Sequence, residues 1–163
     1  MLPNSLKRIK EQADGYDGIM LKSGIDIIEI GRLERSIERH PRLLARVFTP
    51  AELAYCLARH RPGASLAARF AAKEAVMKAL GIGLGRCSWQ DIEITREQGG
   101  RPRVILHNRA RQLAREMGVG EINVSLSHCH AYAAAVALAE SSFSEEPLMG
   151  AGDHSMVQKN SGL

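Results

Sequence analysis

An alanine-rich stretch, Phe70-Ala71-Ala72-Lys73-Glu74-Ala75-Val76-Met77-Lys78-Ala79-Leu80-Gly81, constrains this chain more than any other segment. Such a run has high helix propensity, and Gly81 is the residue type that most often ends a helix. Ser65 is placed to cap its start, so the spacing predicts a helix from Ser65 to Leu80. At about 100° per residue, Leu66, Phe70, Met77 and Leu80 share one stripe, and Ala67, Ala71, Glu74 and Lys78 share the next. Alanines beside two charged groups let another element, or a ligand, come close to the helix backbone. Lys73 falls near the apolar stripe, where its stem can snorkel.

A second acid sits in equally apolar company. Asp26 interrupts Gly24-Ile25-Asp26-Ile27-Ile28, the centre of an Ile-rich segment, Leu21 to Ile30, that reads as a buried strand. A carboxylate amid Ile or Ala is costly to bury unless a cation or a donor offsets it. Asp26 and Glu74, on separate elements, could share a hard divalent cation. Mg2+ takes few protein carboxylates and fills its octahedron with water and phosphate oxygens. The alternative is that each acid pairs with a nearby Arg or Lys. Lys78 lies four residues after Glu74 on one helix face and could hold a phosphate. From spacing alone, an ordinary Glu–Lys helix pair is the simpler reading.

Between these acids the chain reads as short helices. One spans about 32–39, and Pro41 ends it or opens another. Arg32, Arg35, Arg39, Arg42 and Arg46 recur at three- and four-residue steps. They form either a basic ridge for an acidic partner or a solvated face with Glu34 and Glu38. Thr49-Pro50-Ala51-Glu52 is a capping box opening a helix to about His60. Arg61-Pro62-Gly63 reads as a loop. Beyond the long helix, residues 91–96 alternate as a half-buried strand, Gly99-Gly100 makes a turn, and 102–106 return. A helix over 108–117 stops at Gly118, and strands follow at about 121–127 and 131–139. This order gives a single α+β domain with a mostly antiparallel sheet packed against helices. Residues 1–20 and 141–163 are polar and are expected to be poorly ordered tails around a domain at 21–140.

Bulk properties narrow the function classes. With 163 residues, 45% hydrophobic and 25% charged, the chain suits one compact domain with a real core. A net charge of +4 favours an acidic protein, a phosphorylated ligand, nucleic acid or a membrane surface, and the sign alone does not choose among them. Aromatics at 4% leave few platforms for stacking bases, which weighs against a nucleic-acid module. No apolar run of membrane-spanning length and no signal peptide is recognised, so neither membrane nor export is expected. Cys56, Cys87 and Cys129, an odd set without framework spacing, read as reduced thiols of a cytoplasmic protein. His128 and His130 share one strand face, too few ligands for zinc. Gly81-Ile82-Gly83-Leu84-Gly85 follows a helix and matches no phosphate-loop pattern.

Three stretches together resemble the 4′-phosphopantetheinyl transferase superfamily, in its small bacterial, holo-acyl-carrier-protein synthase branch. They are Gly24-Ile25-Asp26-Ile27-Ile28-Glu29-Ile30 with Arg32-Leu33-Glu34, Arg69-Phe70-Ala71-Ala72-Lys73-Glu74-Ala75 with Lys78-Ala79-Leu80-Gly81, and Val124-Ser125-Leu126-Ser127-His128 with Ala131-Tyr132-Ala133. Their order agrees across about residues 22–140. Ile82 departs from the pattern, which often has Thr between the glycines; Gly100-Arg101-Pro102 fits it with Arg for Lys. The resemblance implies transfer of 4′-phosphopantetheine from coenzyme A to a serine of apo-acyl carrier protein, with release of adenosine 3′,5′-bisphosphate. It implies Asp26 and Glu74 as Mg2+ ligands and, with Lys78, as the catalytic group. Lys78, His128, Arg69 and Gly81 are then coenzyme A contacts. Arg32, Arg35 and Arg39 meet the acidic carrier protein, and the enzyme is a homotrimer with sites between subunits.

Overall fold

A computed structural model describes residues 19–83, 85–97 and 99–142 of the chain. The elements run β1 (Ile19–Glu29), α1 (Ile30–Arg39), α2 (Arg42–Val47), α3 (Pro50–Leu57), α4 (Pro62–Leu80), a 3₁₀ turn (Trp89–Asp91), β2 (Ile92–Arg96), β3 (Pro102–Leu106), α5 (Asn108–Glu116), β4 (Val119–His128) and β5 (Tyr132–Ser142). The expected single sheet is divided in two. One has the order β1-β5-β4 and the other is the β2-β3 hairpin, both antiparallel. β1 starts at Ile19, paired with Ser142 at the end of β5, so these two strands run two residues past the expected domain limits of 21 and 140. The rest of the tail assignments lies outside the described residues.

α4 is the axis of the fold. It packs on β1, β5 and β4 along one side and on α1, α3 and β2 along others. Only Lys78 of its residues is exposed, so the two sequence stripes merge into a helix surrounded by protein. Its C-terminal half joins β2, α5, β4 and β5 in one core, and its N-terminal half joins α1, α2 and α3 around Phe48 in another. Its start differs from the sequence reading. The helix begins at Pro62, with Arg61 at the cap position, and Ser65 lies inside the first turn. Proline suits a first helical position because its missing amide is not needed there. Gly63 is tolerated because the Glu34 carboxylate occupies the place of its side chain. The C-terminus follows expectation, with Gly81 left-handed at φ 64°. The capping box at Thr49 and Glu52 also forms, with both reciprocal hydrogen bonds in place.

β1 departs from the buried strand that its isoleucines suggest. Gly24, Asp26 and Ile28 face α4, while Ile25 and Ile27 on the opposite face are 69% and 66% exposed. Val136 and Leu138 of β5, opposite Ile25 and Ser23, continue this outer apolar surface, as do Ile19 and Leu21. A three-stranded sheet with helices on one side only leaves its second face to water.

Lys73 also corrects the sequence reading. It is fully buried rather than snorkelling, with its ammonium 2.8 Å from a buried Glu52 oxygen. Burial holds the ammonium below the usual lysine range, and Glu52 pulls it back up. Removing one partner of such a pair leaves an uncompensated charge in the core. Glu52→Ala is therefore expected to cost about 3–5 kcal/mol of stability, read as a lower urea midpoint. An unchanged midpoint would mean that the buried ammonium finds another partner or loses its proton at little cost.

Candidate active site

Asp26 reaches α4 because glycine lies two residues before it on the same strand face. A Cβ on Gly24 would collide with the carbonyl oxygen of Ala75 and lie 2.6 Å from the amide nitrogen of Ala79. The strand therefore lies directly on the helix backbone. Glu74 and Lys78, one turn apart on α4, flank this contact. Lys78 Nζ sits 2.8 Å from Asp26 Oδ1 and donates to the Ile25 carbonyl oxygen at 2.9 Å. The hydrogen bond to Asp26 holds the Lys78 ammonium above its usual range. Lys78 thus meets an acid on β1, not the in-helix partner that spacing alone suggests.

Glu74 is half-buried. Burial pushes its carboxyl up first, and the charge and hydrogen bond of the adjacent Asp26 push it further; Lys78 and Arg32 pull the other way. Two carboxylates this close repel unless a proton or a cation lies between them. The folded chain holds the Glu74 proton more tightly than the unfolded chain does. This stabilisation is complete below the ordinary value of 4.5 and is lost as pH rises through the raised value. Without divalent cation, Glu74→Gln should therefore melt a few degrees above the wild type at about pH 8 and level with it at about pH 4. Melting curves by circular dichroism check this, and identical curves at the higher pH would contradict it.

The acids open into a cavity of about 510 Å³. Arg32, Arg46, Leu33, Leu43, Phe70 and Trp89 contribute to its walls, with Trp89 stacked on Phe70 at 4.9 Å. Arg32, Arg39, Arg42 and Arg46 are exposed and, among the described residues, have no carboxylate within ion-pair distance. Arg35 of the ridge is paired, to Glu29 at 3.2 Å. The solvated-face alternative, with Glu34 and Glu38 as partners, therefore finds no such pairs.

Arg69 and His128 come together elsewhere, in a cavity of about 240 Å³ with Tyr55, Arg59, Ser65 and Arg96. Among the described residues no carboxylate lines it. The Arg69, Arg59 and Arg96 guanidiniums lie 4.1, 5.0 and 5.8 Å from the Tyr55 ring centroid. Arg69 is 7% exposed, and its Nε has no hydrogen-bond partner among the described residues. Cationic donors without an acid form a receptor for an anion. Tyr55, Arg59 and Arg96 were not singled out by the sequence. They come from α3, the turn after it and β2, some forty residues further on, and no spacing rule links them. Gly81 lines neither cavity. His130 falls in the turn after β4 rather than beside His128 on a strand face, and its carbonyl oxygen accepts from Arg61.

Among the described residues no group of three or more His, Cys, Asp or Glu could hold a metal ion. Two converging carboxylates suit Mg2+, which takes its other oxygens from water and phosphate. No helix among the described residues is long and apolar enough to cross a membrane.

A family model described as the 4′-phosphopantetheinyl transferase superfamily matches residues 22–137. A holo-[acyl-carrier-protein] synthase of Moorella thermoacetica is 94% identical over 127 residues, 78% of this chain and 99% of that relative. One from Koribacter versatilis is 44% identical over 75% of this chain and 99% of its own length. Among solved structures, the Helicobacter pylori holo-[acyl-carrier-protein] synthase in complex with coenzyme A superposes with a TM-score of 0.64 at 31% identity, covering 72% of this chain and 98% of that one. The Neisseria meningitidis enzyme superposes at 0.69 with 30% identity, covering 74% and 98%.

Proposed function

The chain belongs to the 4′-phosphopantetheinyl transferase superfamily, and from that membership we infer how its own residues carry the reaction. Its activity is that of a holo-[acyl-carrier-protein] synthase, transferring phosphopantetheine from coenzyme A to acyl carrier protein. The observation that carries the residue assignment is the convergence of Asp26 and Glu74, from β1 and α4, in the wall of one cavity, with Lys78 held against Asp26 beside them.

Asp26 and Glu74 would hold Mg2+. Bound there, it supplies Lewis-acid neutralisation of a pyrophosphate and a template for the in-line displacement. A serine hydroxyl of the carrier attacks the β-phosphorus of coenzyme A, and adenosine 3′,5′-bisphosphate leaves. Glu74, whose carboxyl burial and the adjacent Asp26 push up, takes the hydroxyl proton. Lys78 offers a flexible ammonium, half-exposed, to the negative charge that grows on the leaving phosphate. Arg69 and His128, in the acid-free cavity, bind a phosphate of coenzyme A. Gly81 contributes only an open, left-handed helix exit beside which a ligand can pass.

Arg32, Arg35 and Arg39 receive the acidic carrier protein along α1. Arg32 is the nearest of them to the acids and lines their cavity. Arg32→Glu is expected to raise the KM for carrier about tenfold and leave that for coenzyme A nearly unchanged. Equal changes in both constants would remove α1 from the docking surface.

The cavity of Asp26 and Glu74 and the cavity of Arg69 and His128 share no lining residue within one chain. The bare apolar face of β1 and β5 gives neighbouring copies a surface to cover. Both features support a homotrimer whose subunits complete one another's sites, which the particle mass in sedimentation checks. We place the reaction in the cytoplasm, a reducing compartment consistent with free Cys56, Cys87 and Cys129; cell fractionation tests this. Incubation with coenzyme A, Mg2+ and an apo carrier should add the mass of phosphopantetheine to the carrier. No gain, or an equal gain with chelator present, would reject the reading.

A further inference from the structure

We propose that Lys73 is a positioning residue for this transfer, fixing Glu74 and the aromatic wall of Trp89 and Phe70 relative to each other across the cavity; the proposal rests on the role given to Glu74 above. The Lys73 ammonium has three donors, and three acceptors surround it. They are Glu52 Oε2 at 2.8 Å, the Trp89 carbonyl oxygen at 3.1 Å and the Ile92 carbonyl oxygen. Glu52 in turn accepts from the amides of Thr49 at 2.8 Å and Ile94 at 2.9 Å. One buried charge pair thus joins α4 to α3, to the 3₁₀ turn and to β2.

The point of attachment matters. Lys73 is the residue before Glu74, and one helix step turns it about 100° away. With Lys73 tied into the scaffold, α4 cannot roll, and Glu74 is held towards Asp26. The same ammonium holds the main chain of Trp89, whose ring stacks on Phe70 at 4.9 Å and lines the cavity. The next residue, Gln90, donates to the carbonyl oxygens of Ala45 and Phe48 and so fixes the end of α2, which carries Arg46. Both walls of the cavity are therefore referenced to one atom. An apolar pair of the same volume would fill this space without that directional tie, since buried ion pairs act through geometry as much as through stability.

The test uses the full-length double variant Glu52→Gln/Lys73→Met, which is neutral and close in volume. Trp89 is the only tryptophan in the chain and reports on the wall directly. Mn2+ binding, followed by Trp89 emission, is measured beside kcat and both KM values. The expected result is a cooperatively folded variant whose kcat falls about 10- to 100-fold, whose Mn2+ affinity weakens about tenfold and whose Trp89 emission moves to the red, with the KM for coenzyme A within about twofold of wild type. A folded double variant with wild-type kcat, Mn2+ affinity and emission would overturn the proposal. Loss of the fold in this neutral variant would overturn it as well, by making Lys73 a stability element. Failure of the wild type to bind Mn2+, or equal binding by Asp26→Asn, would sink the metal assignment itself, and the proposal with it.

Discussion

Glu74→Gln and Asp26→Asn will each lower turnover about 1,000-fold while the protein stays folded. Both substitutions keep the size of the side chain and remove only its charge. At Glu74 the fold does not depend on that charge, and at Asp26 it loses only a pair with the half-exposed Lys78. Glu74 is half-buried beside Asp26 and holds its proton more tightly for that reason, so neutralising it relieves repulsion. The reaction does depend on it, because two carboxylates must offset a cation that in turn offsets a pyrophosphate. Loss of activity together with an equal or higher melting temperature is the signature of a site that spends stability on function. In each variant, raising Mg2+ should recover part of the rate, since the remaining acid still contributes. Turnover within about threefold of wild type in both variants would take the metal away from this pair.

Gly24→Ala is the second large effect, and it acts through the fold. One methyl group would have to enter the contact between β1 and the backbone of α4, where the carbonyl oxygen of Ala75 and the amide nitrogen of Ala79 already stand. Neither is the end of a flexible side chain, so the strand itself must move. Overpacking of this kind costs about 3 kcal/mol, which for a chain of this size lowers the melting temperature by about 10 °C. The displaced strand carries Asp26, so Mg2+-dependent activity should fall by about tenfold or more even in the folded fraction. Calorimetry and kcat on the same sample separate the two effects. A variant with a wild-type melting temperature and rate would show that β1 and α4 are further apart than described.

What was legible in the sequence was local chemistry with a fixed offset. Thr49 and Glu52 announce their capping box because both partners lie within one turn, and Gly81 announces a helix end for the same reason. Asp26 and Glu74 can be singled out because an acid among Ile or Ala stands out against its own neighbours, and the fold brings the two side by side. The start of α4 was misplaced because Ser65 and Pro62 both signal a helix N-terminus, and the position of Glu34 beside Gly63 decides between them. Lys73 could not be read because its partner Glu52 lies on another helix and its other acceptors are main-chain oxygens. The arginine-lined cavity stayed hidden for a similar reason, since Tyr55 gathers Arg59, Arg69 and Arg96 only after folding. Ile25 and Ile27 suggest a buried strand by composition, yet both are exposed, because the helices pack on the opposite face of the sheet and composition does not say which face is covered.

Crystals grown with coenzyme A and Mn2+, examined by anomalous scattering at the manganese edge, put the shared-metal claim to its most direct test. The expected peak lies between Asp26 and Glu74, within about 2.3 Å of an oxygen from each and in contact with the pyrophosphate. A peak bound by only one of the two acids, or by neither, would contradict the account.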